Sequence, residues 1–243
     1  MFPKLAALVG CAAVAAACSG TPTRPSSVSA ARTARLSRTR FVAFGDSITS
    51  GEVTVPIGAG GYIGKLVVIP SVSYPSVLQT QLQASYASQA STISVNNQGK
   101  GGENIVDGVL RFDEAMAGSN ATVALIQEGV NSIGYPGIEM ATALTGEMVR
   151  QAKSRGMKVF VGSMLPSPSG RQKSQNPASL EAYNALLRAM CAQEGVSYVD
   201  LYNGMLPQVE TLIGVDGLHP NEAGYRRIAE LFFAAIRSEL QEP

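Results

Sequence analysis

The chain contains one histidine, His219, in the run Asp216-Gly217-Leu218-His219-Pro220. A serine hydroxyl titrates far above neutral pH, so its use as a nucleophile demands a base within hydrogen-bond reach. If imidazole is that base, His219 must supply it. Asp216 lies three residues earlier on the same loop, close enough for its carboxylate to orient the ring. A matching hydroxyl stands in Gly45-Asp46-Ser47-Ile48-Thr49, directly after a short apolar run, where Gly45 permits a tight turn. Taken singly, each segment has a plainer reading. Gly-Asp-Ser also suits a structural turn with a capping serine, and a lone His before Pro suits a cap or a packed residue.

Two further segments bear on the same chemistry. Asn97-Gln98-Gly99-Lys100-Gly101-Gly102 opens the helix that begins near Asn104, and glycines there let backbone N–H groups point at an anion. The run lacks the Gly-Lys-Ser/Thr ending of a phosphate loop. In Gly129-Val130-Asn131-Ser132 a side-chain amide is placed to donate to a developing oxyanion. A serine, oxyanion donors and an Asp–His pair together form an acyl-transfer set. A single His and no clustered Cys argue against a zinc site, and this chemistry calls for no metal and no cofactor.

Such residues need a rigid frame. Short apolar runs bounded by Gly or polar residues occur at 40–44, 92–96, 122–126, 158–161 and 196–200, as buried parallel strands do. Between them, faces with i, i+3, i+4, i+7 spacing predict helices at 74–86, 105–116, 138–154, 179–193 and 221–240. The alternation predicts an α/β fold, a three-layer α/β/α sandwich on a parallel, flavodoxin-like sheet of about five strands. The four segments are then expected at four strand ends of one sheet, on the face where such sheets bind ligands. Residues 51–72 read as a loop between the nucleophile and the first helix, either a lid that contacts the acyl group or a surface loop folded back on the core. Residues 166–177 read as a second long polar loop at the same edge.

Composition narrows the class. With 45% hydrophobic and 15% charged residues the chain reads as globular. It carries 19 Lys and Arg against 18 Asp and Glu, so nothing favours a polyanion, and nucleic-acid binding is not expected. The run Arg32, Arg35, Arg38 and Arg40 reads as a solvated linker. Of the cysteines at 11, 18 and 191, only Cys191 lies in the body, in a helical pattern, where it reads as a small buried hydrophobe.

Lys4 is followed by about a dozen apolar residues, too few for a bilayer span. Residues 1–17 read as a secretory signal peptide ending in Ala15-Ala16-Ala17. Cys18 then resembles the first, lipidated residue of a bacterial lipoprotein, a better placed candidate than Cys11. An ordinary soluble secretory signal is the alternative. Residues 18–39 read as a flexible tether and 40–243 as the catalytic domain. The expected location is the bacterial cell envelope or the medium, with the membrane reached only through the N-terminal anchor.

The combined motifs resemble the SGNH hydrolases, also called GDSL lipases and esterases. Gly45-Asp46-Ser47 is similar to the first block, with Ile48-Thr49 where the name-giving form has Leu. Asn97, Gly99 and Gly102 match Asn-x-Gly-x-x-Gly, Gly129 and Asn131 match Gly-x-Asn-Asp, and Asp216 and His219 match Asp-x-x-His. Ser132 departs from the third block's Asp, which bears on loop rigidity and substrate subclass. The resemblance covers about residues 40–238. It implies Ser47 as nucleophile, His219 as general base, Asp216 as its partner, and an oxyanion hole of Ser47 N–H, Gly102 N–H and Asn131. It further implies hydrolysis of small-molecule, glycan or lipid esters, with short acyl or acetyl groups favoured. An acyltransferase using the same acyl-enzyme, and a non-catalytic binding lipoprotein, are the readings from other classes.

Overall fold

The computed structural model describes Met1, residues 34–57 and residues 63–242. The expected signal peptide and Cys18 lie outside the described residues. From the N-terminal side the strands are β1 (Arg35–Leu36), β2 (Arg40–Gly45), β3 (Glu52–Ile57), β4 (Ile63–Val68), β5 (Ser94–Gly99), β6 (Val123–Gln127), β7 (Lys158–Gly162), β8 (Ser197–Val199) and β9 (Gln241–Glu242). The helices are α1 (Ser47–Ser50), α2 (Tyr74–Ser85), α3 (Ile105–Ser119), α4 (Ile138–Ser154), α5 (Pro177–Glu194), α6 (Leu201–Met205), α7 (Val209–Leu212) and α8 (Glu222–Leu240).

Five strands form one parallel sheet in the order β5-β2-β6-β7-β8. Because β2 lies between β5 and β6 with both faces covered, it can be apolar throughout, and Phe41, Val42, Ala43 and Phe44 are fully buried. Helices α2 and α8 pack together, as do α3, α4 and α5, and the two groups sandwich the sheet. The apolar stripe of α8 (Tyr225, Ile228, Phe232, Ile236) faces inward, with Tyr74 of α2 stacked on Phe232 at 5.2 Å between ring centroids. Cys191 is buried, and burial pushes its thiol up to about 12, which fits a packed, inert residue.

The sheet order sets the place of chemistry. The winding order reverses at β2, with strand direction unchanged: the connection from β2 leads to β5 on one side, and the next strand, β6, lies on the other. Loops leaving β2, β5 and β6 at their carboxyl ends therefore converge on one crevice.

Three expectations are corrected. The second strand runs to Gly99 rather than stopping at Asn96, in register with β2 from Arg40↔Ser94 to Gly45↔Gly99. As an edge strand it keeps polar Asn96, Asn97 and Gln98 partly in solvent, so apolarity underreports its length. Residues 52–57 and 63–68, read as part of a loop, are instead two antiparallel strands, β3 and β4, paired from Glu52↔Val68 to Ile57↔Ile63. Finally, packing starts at Arg35 and not at Arg40. Strand β1 pairs with β9, Leu36 is buried, and Arg38 Nη1 donates to Thr122 O and Gly156 O at 2.8 and 2.9 Å. The end of the supposed tether, with Arg35 and Arg38 of the basic run, is thus part of the fold.

Candidate active site

Strand β2 ends at Gly45, where a Cβ would collide with the Gln127 carbonyl and the Thr49 hydroxyl. The chain turns at once into α1, whose N-cap is Asp46, not the serine: Asp46 Oδ1 accepts the Ile48 N–H at 2.9 Å. Ser47 is therefore the first helical residue. Its own N–H has no intrahelical acceptor and is left for a ligand.

Although 172 residues apart in sequence, Ser47 and His219 meet: Ser47 Oγ lies 2.9 Å from His219 Nε2. On the other side of the ring, Nδ1 is 2.6 Å from Asp216 Oδ2. Asp216 Oδ1 accepts the N–H groups of Leu218 and His219, both at 3.1 Å. Burial alone would push the Asp216 carboxyl up. The hydrogen bond to His219, the Leu218 N–H and the imidazole charge outweigh it and hold the group well below the usual carboxylate range. An ionised Asp216 accepts from Nδ1–H, which leaves the Nε2 lone pair to accept from the Ser47 hydroxyl. Ser47, Asp216 and His219 are only 3%, 2% and 2% exposed, so water competes little for these bonds.

The Asp216–His219 loop does not leave a sheet strand directly, as the sequence suggests. Helices α6 and α7 intervene after β8. Cross-bonds hold the loop instead: Gly214 N–H donates to His219 O at 2.7 Å, and Gly217 turns with φ +87°. Residues 166–177 clamp it from outside. Arg171 Nη1 donates to Ile213 O and Gly214 O at 2.9 Å each, Lys173 N–H to Asp216 O at 2.7 Å, and Ser167 Oγ to Gly217 O at 2.6 Å. This loop shapes the site from behind.

Gly102 follows β5 with φ +71°, and its N–H donates to no acceptor among the described residues. Asn131 follows β6. Its Nδ2 donates to Glu103 O at 2.9 Å, which fixes the amide and leaves the second N–H free. Ser132, the departure from the family block, is fully buried, and its Oγ accepts the Ile105 N–H at 2.9 Å at the start of α3. Asn104 Nδ2 adds bonds to Asn131 O and Tyr135 O at 3.3 and 2.7 Å. A serine thus ties the β5 and β6 loops together where the block has an aspartate.

Sequence reasoning missed Arg111 and Glu103. Arg111 Nε sits 2.7 and 2.8 Å from the two carboxylate oxygens of buried Glu103, and Nη2 donates to Gln98 O at 2.9 Å and Gly45 O at 3.3 Å. The guanidinium also lies 4.0 Å over the Phe44 ring. It joins the carboxyl ends of β2 and β5, yet nothing in its spacing announces this. Beneath the site lie two more carboxyls. Burial pushes Asp46 up to about 6 against the Ile48 N–H, the imidazole charge and the nearby Gly129 and Val130 N–H groups, none of which comes close enough to hydrogen-bond Oδ2. Burial, with Asp46 and Glu103 nearby, pushes Glu128 well above its ordinary value. Among the described residues no group of three His, Cys, Asp or Glu is placed to hold a metal ion.

The chain matches the GDSL-like Lipase/Acylhydrolase family over residues 43–227. Esterase TesA of Pseudomonas aeruginosa is 27% identical over 181 residues, which are 71% of this chain and 87% of that protein. Among solved structures, a lipase/acylhydrolase from Enterococcus faecalis superposes with TM-score 0.68 at 21% identity, covering 83% of this chain and 97% of that one. A catalytic mutant of Axe2, an acetylxylan esterase from Geobacillus stearothermophilus, superposes with TM-score 0.64 at 19% identity, covering 83% and 94%. At these identities the structures speak for the fold.

Proposed function

The chain belongs to the GDSL-like lipase/acylhydrolase family and is by that membership a carboxylic ester hydrolase, and we propose that it works through an acyl-enzyme on Ser47 with short acyl or acetyl groups preferred. The observation that carries this reading is the continuous hydrogen-bond chain from Ser47 Oγ through His219 to Asp216. Ser47 Oγ attacks the ester carbonyl while Nε2 takes the hydroxyl proton. Asp216 holds the ring in the tautomer that can accept it and stabilises the imidazolium. The carbonyl oxygen, now negative, is met by the Ser47 N–H, the Gly102 N–H and the free N–H of Asn131. Collapse expels the alcohol, which leaves with the proton from Nε2. Water then repeats the sequence on the acyl-enzyme, with the same imidazole as base, and releases the acid.

The preference for small acyl groups is supported by the recessed nucleophile, shielded by its neighbours to 3% exposure, and by the likeness to an acetylxylan esterase. The test is hydrolysis of p-nitrophenyl acetate, butyrate and octanoate by the protein and its Ser47→Ala variant. Activity is expected to fall from acetate to octanoate and to drop about a thousandfold or more in the variant. Equal activity in both proteins rejects Ser47 as nucleophile.

We further propose that the chain is exported and anchored through Cys18. Incorporation of labelled palmitate that disappears in Cys18→Ala is the expected result, and label that survives the substitution removes Cys18 as the site.

A further inference from the structure

Glu52, the first residue of β3, faces the Ser47–His219 pair from the Nε2 side, and its Oε2 lies 3.8 Å from Nε2. Its backbone is held firmly: the Tyr225 hydroxyl donates to Glu52 O at 2.5 Å, and Glu52 pairs opposite Val68. Its side chain is only 14% exposed, yet no donor among the described residues hydrogen-bonds to the carboxylate. On the far side, Oε1 packs on Gly101, where a Cβ would overlap it.

Glu52 is not the ring's resting partner. Ser47 Oγ, at 2.9 Å, is the nearer partner of Nε2, and Glu52 lies beyond hydrogen-bond distance of it. Nor does the carboxylate fill the oxyanion position, since neither the Ser47 and Gly102 N–H groups nor the Asn131 amide donates to it. With no protein donor taken up among the described residues, both carboxylate oxygens are free to accept a hydrogen bond from a ligand in the crevice. During the reaction the leaving oxygen must come within hydrogen-bond distance of Nε2 to take the proton. A carboxylate 3.8 Å from the same nitrogen thus faces the part of the alcohol next to the ester oxygen.

We propose that Glu52 is a binding residue for the alcohol part of the substrate, its carboxylate accepting a hydrogen bond from a hydroxyl on the carbon next to the ester oxygen. The preferred substrates are then partly acylated polyols or sugars. The inference rests on the esterase reading of Ser47 and His219.

The test compares kcat/KM of the full chain for ethylene glycol monoacetate and for its methyl ether, which lacks the donor. Wild type is expected to prefer the hydroxy ester about tenfold or more, the range of a hydrogen bond to a charged group. In Glu52→Ala the preference is expected to vanish. In Glu52→Gln, which keeps the volume and a neutral acceptor, it is expected to fall between. Because the ratio is internal to each protein, a partly folded variant does not distort it. A wild-type ratio near unity, or one unchanged in Glu52→Ala, overturns the subsite. p-Nitrophenyl acetate, whose alcohol carries no hydroxyl, separates the two claims. Ser47-dependent turnover of it with a flat donor ratio removes the subsite alone. No Ser47-dependent turnover removes the esterase reading, and the subsite with it.

Discussion

Asp46→Asn should stabilise this protein at neutral pH and lose that advantage in acid. Asp46 is fully buried, and its carboxyl is raised from 3.8 to about 6 chiefly by burial. Between those two values the folded state holds a proton that the unfolded state has released. Stability therefore falls as pH rises through this window, and above it the full penalty is present. A carboxyl raised this far costs the folded state about 3 kcal/mol at neutral pH. Asparagine cannot ionise, and its carbonyl can keep the N-cap bond to the Ile48 N–H. Its amide nitrogen must take the place of Oδ2, which has no partner, and that costs about 1–2 kcal/mol at every pH. Differencing two pH values removes this constant cost. The chain has no tryptophan, so urea unfolding is followed by far-ultraviolet circular dichroism. The gain of variant over wild type should be about 2–3 kcal/mol larger near pH 7.5 than near pH 4. A difference that does not change with pH would refute the reasoning and mean that the loop around Gly129 and Val130 compensates the Asp46 charge in full.

Asn131→Ala removes one oxyanion donor and should lower kcat about a hundredfold or more, seen in steady-state hydrolysis of p-nitrophenyl acetate. Arg171→Met strips the guanidinium from Ile213 O and Gly214 O, and should cost about 2 kcal/mol in urea unfolding and lower kcat by loosening the His219 loop. Leu36→Ala should cost about 2–4 kcal/mol in the same unfolding assay, because Leu36 is a buried core residue; no change would return residues 34–39 to the tether.

What the chain alone decided is local. The apolar runs of β2, β6 and β7 and the stripes of α4 and α8 are legible because strand and helix periods are written in consecutive residues. The single histidine is the one imidazole that the sequence offers as partner to a serine after the first strand. The hairpin β3–β4 was also within reach, since Glu52-Val53-Thr54-Val55 alternates polar and apolar residues. Tertiary structure decided the rest. The extent of β5 depends on its being an edge strand, a property of sheet order rather than of Asn96, Asn97 or Gln98. Leu36 joins the core only because the C-terminal strand β9 comes back to pair with β1. Arg111, Arg171 and Glu52 meet carbonyls and side chains 8 to 173 residues away, and no local spacing rule places them together. A covalent chain encodes period and composition in sequence order, whereas a site is assembled where loops from distant strands meet.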